Sequence, residues 1–305
     1  MRGRSCDSNG LVLRSDYFGD PLAWRASCDL LFDVFRFDVS PLTVLGGPDP
    51  TSMQTGYFDA DGRCIANLSA FSMPMMINGK HIKAAGWQSG AVRPEWRGRG
   101  LFRDLMQITF DRCRAAGFET ILLTTRHPAL YQPLGFRTVP QWRFSGPVPA
   151  LPGGIPPARR LDIRQPDDLA LIREALRCRQ PVSDRFAVLD QSHMFLLNAW
   201  LSPSISLHWM EQEHCVVASE LTNDERLSLL DVVGAAIPSL GTLIGATAPM
   251  ATHVDVQFPT DRICADGQPW DARADPEEGS TVLMMWSRPM ALPHGPVKLS
   301  PMADF

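Results

Sequence analysis

Val92-Arg93-Pro94-Glu95-Trp96-Arg97-Gly98-Arg99-Gly100-Leu101-Phe102 is the stretch on which the reading of this sequence turns. Upstream, 80–92 is an extended run. Downstream, over 100–116, Leu101, Leu105, Thr109 and Cys113 recur every four residues with Phe102, Met106 and Phe110 beside them, while Arg103, Gln107, Asp111 and Arg114 face away. That spacing predicts an amphipathic helix closed by Gly117. A strand, a glycine turn and a helix in this order leave the first helical N–H groups without intrahelical partners, beside the positive end of the helix dipole. Gly98 and Gly100 let the backbone turn tightly and approach a ligand, and Arg97 and Arg99 add fixed charge suited to a pyrophosphate. The stretch is not a Walker loop, because no Gly-Lys-Ser/Thr follows. Nor is it a dinucleotide fingerprint, because Arg103 stands where the third glycine belongs.

Working outward, the first half offers a short strand at 11–13 and a helix at 21–37, with Leu22, Cys28, Leu31, Phe32 and Phe35 on its apolar face. Strands follow at 56–58, 63–73 and 80–92, with turns at Asp61-Gly62 and Asn78-Gly79; Asn-Gly between two extended runs is a hairpin signal. After the central helix come a strand at 120–124, a short helix near 128–134 and a strand at 136–144. Proline and glycine then crowd together over 146–160, which predicts a semi-rigid linker. The second half shows helices at 166–177 and 189–201, strands at 206–211, 215–221 and 227–233, a helix near 238–243, and late strands at 253–257 and 281–286. The acidic run 266–279 reads as a loop, and Trp87, Trp96 and Trp142 as core or rim packing.

At 305 residues, two compact domains are expected. Hydrophobic residues at 45% and charged residues at 20% exclude disordered, collagen-like and coiled-coil classes. A net charge of -4 argues against a nucleic-acid surface, and no run approaches the ~18 apolar residues of a membrane span. The first ten residues lack the apolar run of a leader. Cys6, Cys28, Cys64, Cys113, Cys178, Cys215 and Cys264 are scattered and odd in number, which suits reduced thiols and a cytoplasmic location. No metal site is expected. His208 and His214 fall on one face of an extended run and Glu211 and Glu213 on the other, so they do not converge.

The glycine stretch is similar to the acetyl-CoA loop of the GCN5-related N-acetyltransferases (GNAT), V-x-P-x-x-[QR]-x-x-G-x-[GA]. Val92, Pro94, Arg97 and Gly100 match, and Phe102 departs from the small last residue. Downstream, Tyr131-Gln132-Pro133-Leu134-Gly135-Phe136 resembles the family's Y-x-x-x-G-F block. The Arg-Gly-Leu-Phe variant and its distance from Tyr131 resemble the N-terminal domain of the enhanced-intracellular-survival acetyltransferases, which join two GNAT-like domains to a sterol-carrier-like one. The resemblance implies an α/β fold: two GNAT-like domains, each with a central mixed sheet flanked by helices. The expected division is a GNAT domain over 1–146, a linker over 147–158, and a degenerate GNAT-like domain over 159–305, where nothing reproduces the Arg-x-x-Gly loop. One active site is therefore expected, in the first half.

What the resemblance implies chemically is direct attack of a small-molecule or peptide amine on the thioester of acetyl-CoA, the co-substrate. Ala91, Val92, Arg97, Gly98, Arg99, Gly100, Leu101 and Phe102 would hold the cofactor, and the backbone near 90–92 would polarise the thioester carbonyl. Tyr131 matches the tyrosine that protonates the departing thiolate. A lysine-like amine with pKa ~10.4 must first lose a proton, at a cost of about 4–5 kcal/mol at pH 7. The strand 85–91 carries no carboxylate for that step, and Glu95 reads as a solvated loop residue. Gln88, His127, the terminal carboxylate at Phe305 and water remain open as the base. Two alternatives stand beside this reading: transfer of another acyl group from CoA or a carrier protein, and an acyl-CoA sensor without turnover.

Overall fold

A computed structural model describes residues 10–222, 225–265, 267–288 and 292–304. The first half comprises β1 (Val12–Ser15), α1 (Pro21–Phe35), β2 (Met53–Phe58), β3 (Cys64–Ser72), β4 (Met75–Ile77), β5 (Lys80–Ile82), β6 (Ala84–Val92), α2 (Leu101–Ala115), β7 (Thr120–Thr125), β8 (Arg137–Val139) and β9 (Trp142–Pro147). The second comprises β10 (Arg159–Leu161), α3 (Pro166–Arg177), β11 (Phe186–Val188), α4 (Ser192–Leu201), β12 (Ser206–Met210), β13 (Cys215–Leu221), β14 (Arg226–Gly234) and α5 (Leu240–Thr247). It ends with β15 (His253–Val256), β16 (Cys264–Ala265), β17 (Gln268–Pro269), β18 (Arg273–Pro276) and β19 (Val282–Ser287). No helix among the described residues is long and apolar enough to cross a membrane.

Local chemistry explains most boundaries. Asp20 starts α1 by accepting the N–H groups of Leu22 and Ala23, with Pro21 at the first helical position. The stripe that α1 buries is Ala23, Ser27, Leu30 and Leu31. It is rotated from the apolar face the sequence suggested, because Leu22, Phe32 and Phe35 stay exposed. The run 80–92 divides at Lys83. Asn78 and Gly79, with φ of 51° and 73°, fold β4 onto β5, whereas β6 enters the main sheet. The helix expected near 128–134 is two 3₁₀ turns, Pro128–Leu130 and Gln132–Leu134, that meet at Tyr131. Pro133 supplies no N–H for a continuous helix there.

Two seven-stranded mixed sheets form the body, in the orders β1-β2-β3-β6-β7-β19-β8 and β10-β12-β13-β14-β15-β9-β18. Each contains one parallel pair, β6 with β7 and β14 with β15, in otherwise antiparallel ladders. β19, from the second half, lies between β7 and β8; β9, from the first, lies between β15 and β18. The halves thus share one strand order and exchange one strand each, and the chain division at 146 and 159 cuts across both sheets. The proline-rich segment between them is largely exposed but anchored at a few points. Val148 and Ala158 donate to Thr252 and Ala246, and Pro152 and Ile155 lie against α5.

Helices cover the first sheet on both faces. Leu105, Met106 and Phe110 of α2 pack on Leu68, Ala70, Trp87, Ile121 and Leu123. On the opposite face Leu30 and Leu31 of α1 meet Cys64 and Ala91, and Met194 and Leu197 of α4 meet Phe71, Leu122 and Leu283. At about 1.5–3 kcal/mol per fully buried large side chain, these contacts fix where the sheet can open.

Candidate active site

The opening follows from two interruptions of the ladder. β6 and β7 pair only from Ala84↔Thr120 to Gly86↔Leu122, and beyond those residues the two strands diverge. On the other side of β6, Asn67 pairs with Ala91 and Ser69 with Gln88, so three steps of β6 oppose two of β3. This bulge centres on Ser89, whose φ is +58°, and leaves backbone groups of β6 outside the ladder beside the gap. Asn67 fixes the bulge: its Nδ2 donates to the Ser89 carbonyl at 2.8 Å and to Ser69 Oγ at 3.2 Å. Its Oδ1 accepts from the buried Tyr17 hydroxyl. Burial raises the Tyr17 phenol well above its ordinary pKa, so Tyr17 remains a donor.

Between the diverging strands lies a cavity of about 1130 Å³. One side is the bulge, from Trp87 to Val92, and the other is Leu123 to His127 of β7 and its following turn. Arg97, Phe102 and Tyr131 line it too. α2 begins at Gly100, which is left-handed with φ of +83° and provides no side-chain cap, so the first-turn N–H groups keep their capacity for a ligand. Arg97 Nε donates to the Val92 carbonyl at 3.2 Å, and Arg99 lies 4.5 Å above the Trp96 ring; both are exposed. Phe102 packs close to the bulge, where a Cβ on Gly90 would sit 3.1 Å from its ring. A glycine at 90 is what admits that ring.

Tyr131 stands across the gap, 9% exposed, with its ring edge-on to Phe102 at 6.2 Å. Its hydroxyl hydrogen-bonds with the Thr125 side chain. Burial raises its pKa, outweighing the hydrogen bond, and holds the phenol protonated at neutral pH. The site therefore joins an uncapped helix start with two arginines, a bulged strand and a protonated phenol around one cavity.

Residues 28–139 match the family model described as "Acetyltransferase (GNAT) domain". The first half of this chain carries a GNAT domain. No curated protein sequence matches the chain. Among solved structures, Eis1 from Mycobacterium abscessus shares 14% identity at a TM-score of 0.58, with 90% of this chain and 73% of that one covered. A GCN5-related N-acetyltransferase from Kribbella flavida shares 16% at 0.55, covering 92% and 72%. A protein from Enterococcus faecalis V583, described as a probable N-acyltransferase, shares 12% at 0.54, covering 91% and 72%. Identities this low establish a shared α/β fold that extends over both halves.

Within the GNAT domain, Ala91, Val92, Arg97, Phe102 and Tyr131 meet at the cavity, while Gly98, Arg99, Gly100 and Leu101 form the turn and helix start beside it. Gln88 and His127 also line it; Phe305 lies outside the described residues. Glu95 points elsewhere, its carboxylate 3.1 Å from Arg63 in an exposed pair. Arg93, within the loop motif, is not a ligand group. Its guanidinium is buried, pairs with Asp33 and donates to the Cys64 carbonyl at 2.8 Å, tying the loop to α1. Sequence reasoning passed over Asn67, Asp49 and His193. Asp49 and His193 come from opposite halves of the chain and approach to 3.8 Å. Their separation of more than a hundred residues left no local signal.

Proposed function

We propose that this chain is an acetyl-CoA-dependent N-acetyltransferase that carries out direct attack of a small-molecule or peptide amine on the thioester. The observation that supports it best is the parallel pair β6–β7 opening beside a left-handed glycine helix start, with Tyr131 across the gap. In this reading, backbone N–H groups at the start of α2, with Arg97 and Arg99, hold the pyrophosphate. Ala91, Val92, Leu101 and Phe102 flank the pantetheine. Bulge amides polarise the thioester carbonyl. Tyr131 gives its proton to the departing thiolate, whose conjugate acid has a pKa of ~8.5. The amine proton leaves through His127, the terminal carboxylate or water, and the neutral Gln88 amide, which lines the same cavity, can orient such a water. The reading includes a cytoplasmic location, in keeping with six cysteines that are free among the described residues.

Thiol release from acetyl-CoA in the presence of an amine panel, with intact-mass analysis of the products, tests this. The expected result is amine-dependent release with a +42 Da product, the mass an acetyl group adds in place of a hydrogen. Binding of acetyl-CoA without any release identifies an acyl-CoA sensor instead, and release only with longer acyl-CoAs identifies a different acyl donor.

A further inference from the structure

The cavity does not end at the thioester position. It continues to the sheet face opposite α2, between α1 and α4. The phosphate cradle belongs to the α2 side, so a donor held there reaches the gap from that side and leaves the α1 side to the acceptor. One wall of the acceptor side is apolar, formed by Trp24, Leu31 and Phe35 of α1, Phe37 beyond it, and Met194 and Leu197 of α4, while Ser27, His193 and Asn198 add polar groups beside it. Phe35, the last residue of α1, and Phe37 just beyond it are 52% and 40% exposed, so these two rings stand at the cavity mouth and not in the core. Rings grouped at an accessible cleft mark a surface that a ligand covers. Asp49, its side chain only 9% exposed, brings a carboxylate to this half, held by Thr51 N and Oγ1 at 2.7 Å and Gln191 Nε2 at 3.1 Å with His193 3.8 Å away, and Asp304 lines it as well. The negative charge favours a cationic acceptor, and the apolar wall leaves the polar atoms of a hydrophilic body unpaired.

We infer that the acceptor is a primary amine carried on an apolar body of aromatic size. The inference rests on the acetyltransferase reading, and the test separates the two. CoA is first titrated into the full chain by calorimetry. With CoA saturating, 4-phenylbutylamine and spermidine are then titrated into the wild type and into a Phe35→Ser/Phe37→Ser variant. Both rings are half-exposed, so the double variant keeps its core, and an unchanged urea midpoint checks this. The expected result is at least about tenfold tighter binding of 4-phenylbutylamine than of spermidine. The double variant is expected to lose that preference while CoA affinity stays the same. CoA binding with no apolar preference, or a preference that survives the double substitution, overturns the inference alone. Failure of CoA to bind overturns the acetyltransferase reading and the inference with it.

Discussion

A chain cut after Pro149 is expected to lose the fold of its first half, because that cut removes β19. This strand pairs with β7 along Thr120–Thr125 and with β8 along Arg137–Val139, so without it β8 has no neighbour in the sheet. Leu283, Met284 and Met285 are each no more than 1% exposed and fill the cores on both faces. At about 1.5–3 kcal/mol for each buried side chain, their loss removes about 5–9 kcal/mol. A whole domain is stable by only about 5–15 kcal/mol. Urea unfolding followed by tryptophan fluorescence and far-UV circular dichroism measures the effect on fragment 1–149, alone and co-expressed with 150–305. The fragment alone should show no cooperative transition, and co-expression should restore one. A cooperative transition of fragment 1–149 alone, at the midpoint of the intact chain, would refute the strand exchange as a determinant of stability.

Gly100→Val is expected to weaken CoA by about 5- to 150-fold, the equivalent of ~1–3 kcal/mol. Nothing lies within 4 Å of the added Cβ, so the penalty is left-handed backbone strain and lost amide geometry, not a clash. Calorimetry showing unchanged affinity in the folded variant would move the cofactor site elsewhere. Asn67→Ala removes the donor to the Ser89 carbonyl and strands the Tyr17 hydroxyl, so it should lower stability by ~1–3 kcal/mol and kcat by about tenfold, with CoA affinity nearly constant. Steady-state kinetics in which only KM moves would show that the bulge needs no such support. Because burial raises the Tyr131 pKa, an acid that must be protonated keeps its proton to higher pH than an ordinary phenol. The kcat profile should therefore rise as the amine deprotonates and show no falling limb below about pH 10; a fall near pH 8 would contradict the assignment.

The parts of this molecule that were legible in its sequence are those set by neighbours in the chain. Gly98 and Gly100, the four-residue recurrence from Leu101 to Cys113, and Asn78-Gly79 each encode a turn or helix within a few residues. The structure adopts them there. The strands Cys215–Leu221 and the helix Pro166–Arg177 likewise carry their own boundaries. What escaped is non-local. Val282–Ser287 reads as a strand, yet no periodicity states that its partners lie more than a hundred residues away. The apolar residues of α1 exceed what one core face can hold. Spacing alone does not say that Phe32 and Phe35 stay outside while Ala23 and Ser27 go in. Asn67 is an ordinary strand residue by sequence, and its role exists only once β3 and β6 fall out of register around it.

Tyr131→Phe tests the central claim most directly. The substitution keeps the ring edge-on to Phe102 and removes one hydroxyl that hydrogen-bonds with Thr125. Its effect is read as single-turnover acetyl transfer to the best amine of the panel, with donor saturating and CoA affinity measured in parallel. If Tyr131 protonates the departing thiolate, the transfer rate falls by roughly 10²–10⁴ and CoA affinity is unchanged. The loss should shrink with an acyl donor whose thiol is more acidic and needs the proton less. A rate within about threefold of wild type, the size expected from one lost rim hydrogen bond, would contradict the assignment of Tyr131 as the acid of this site.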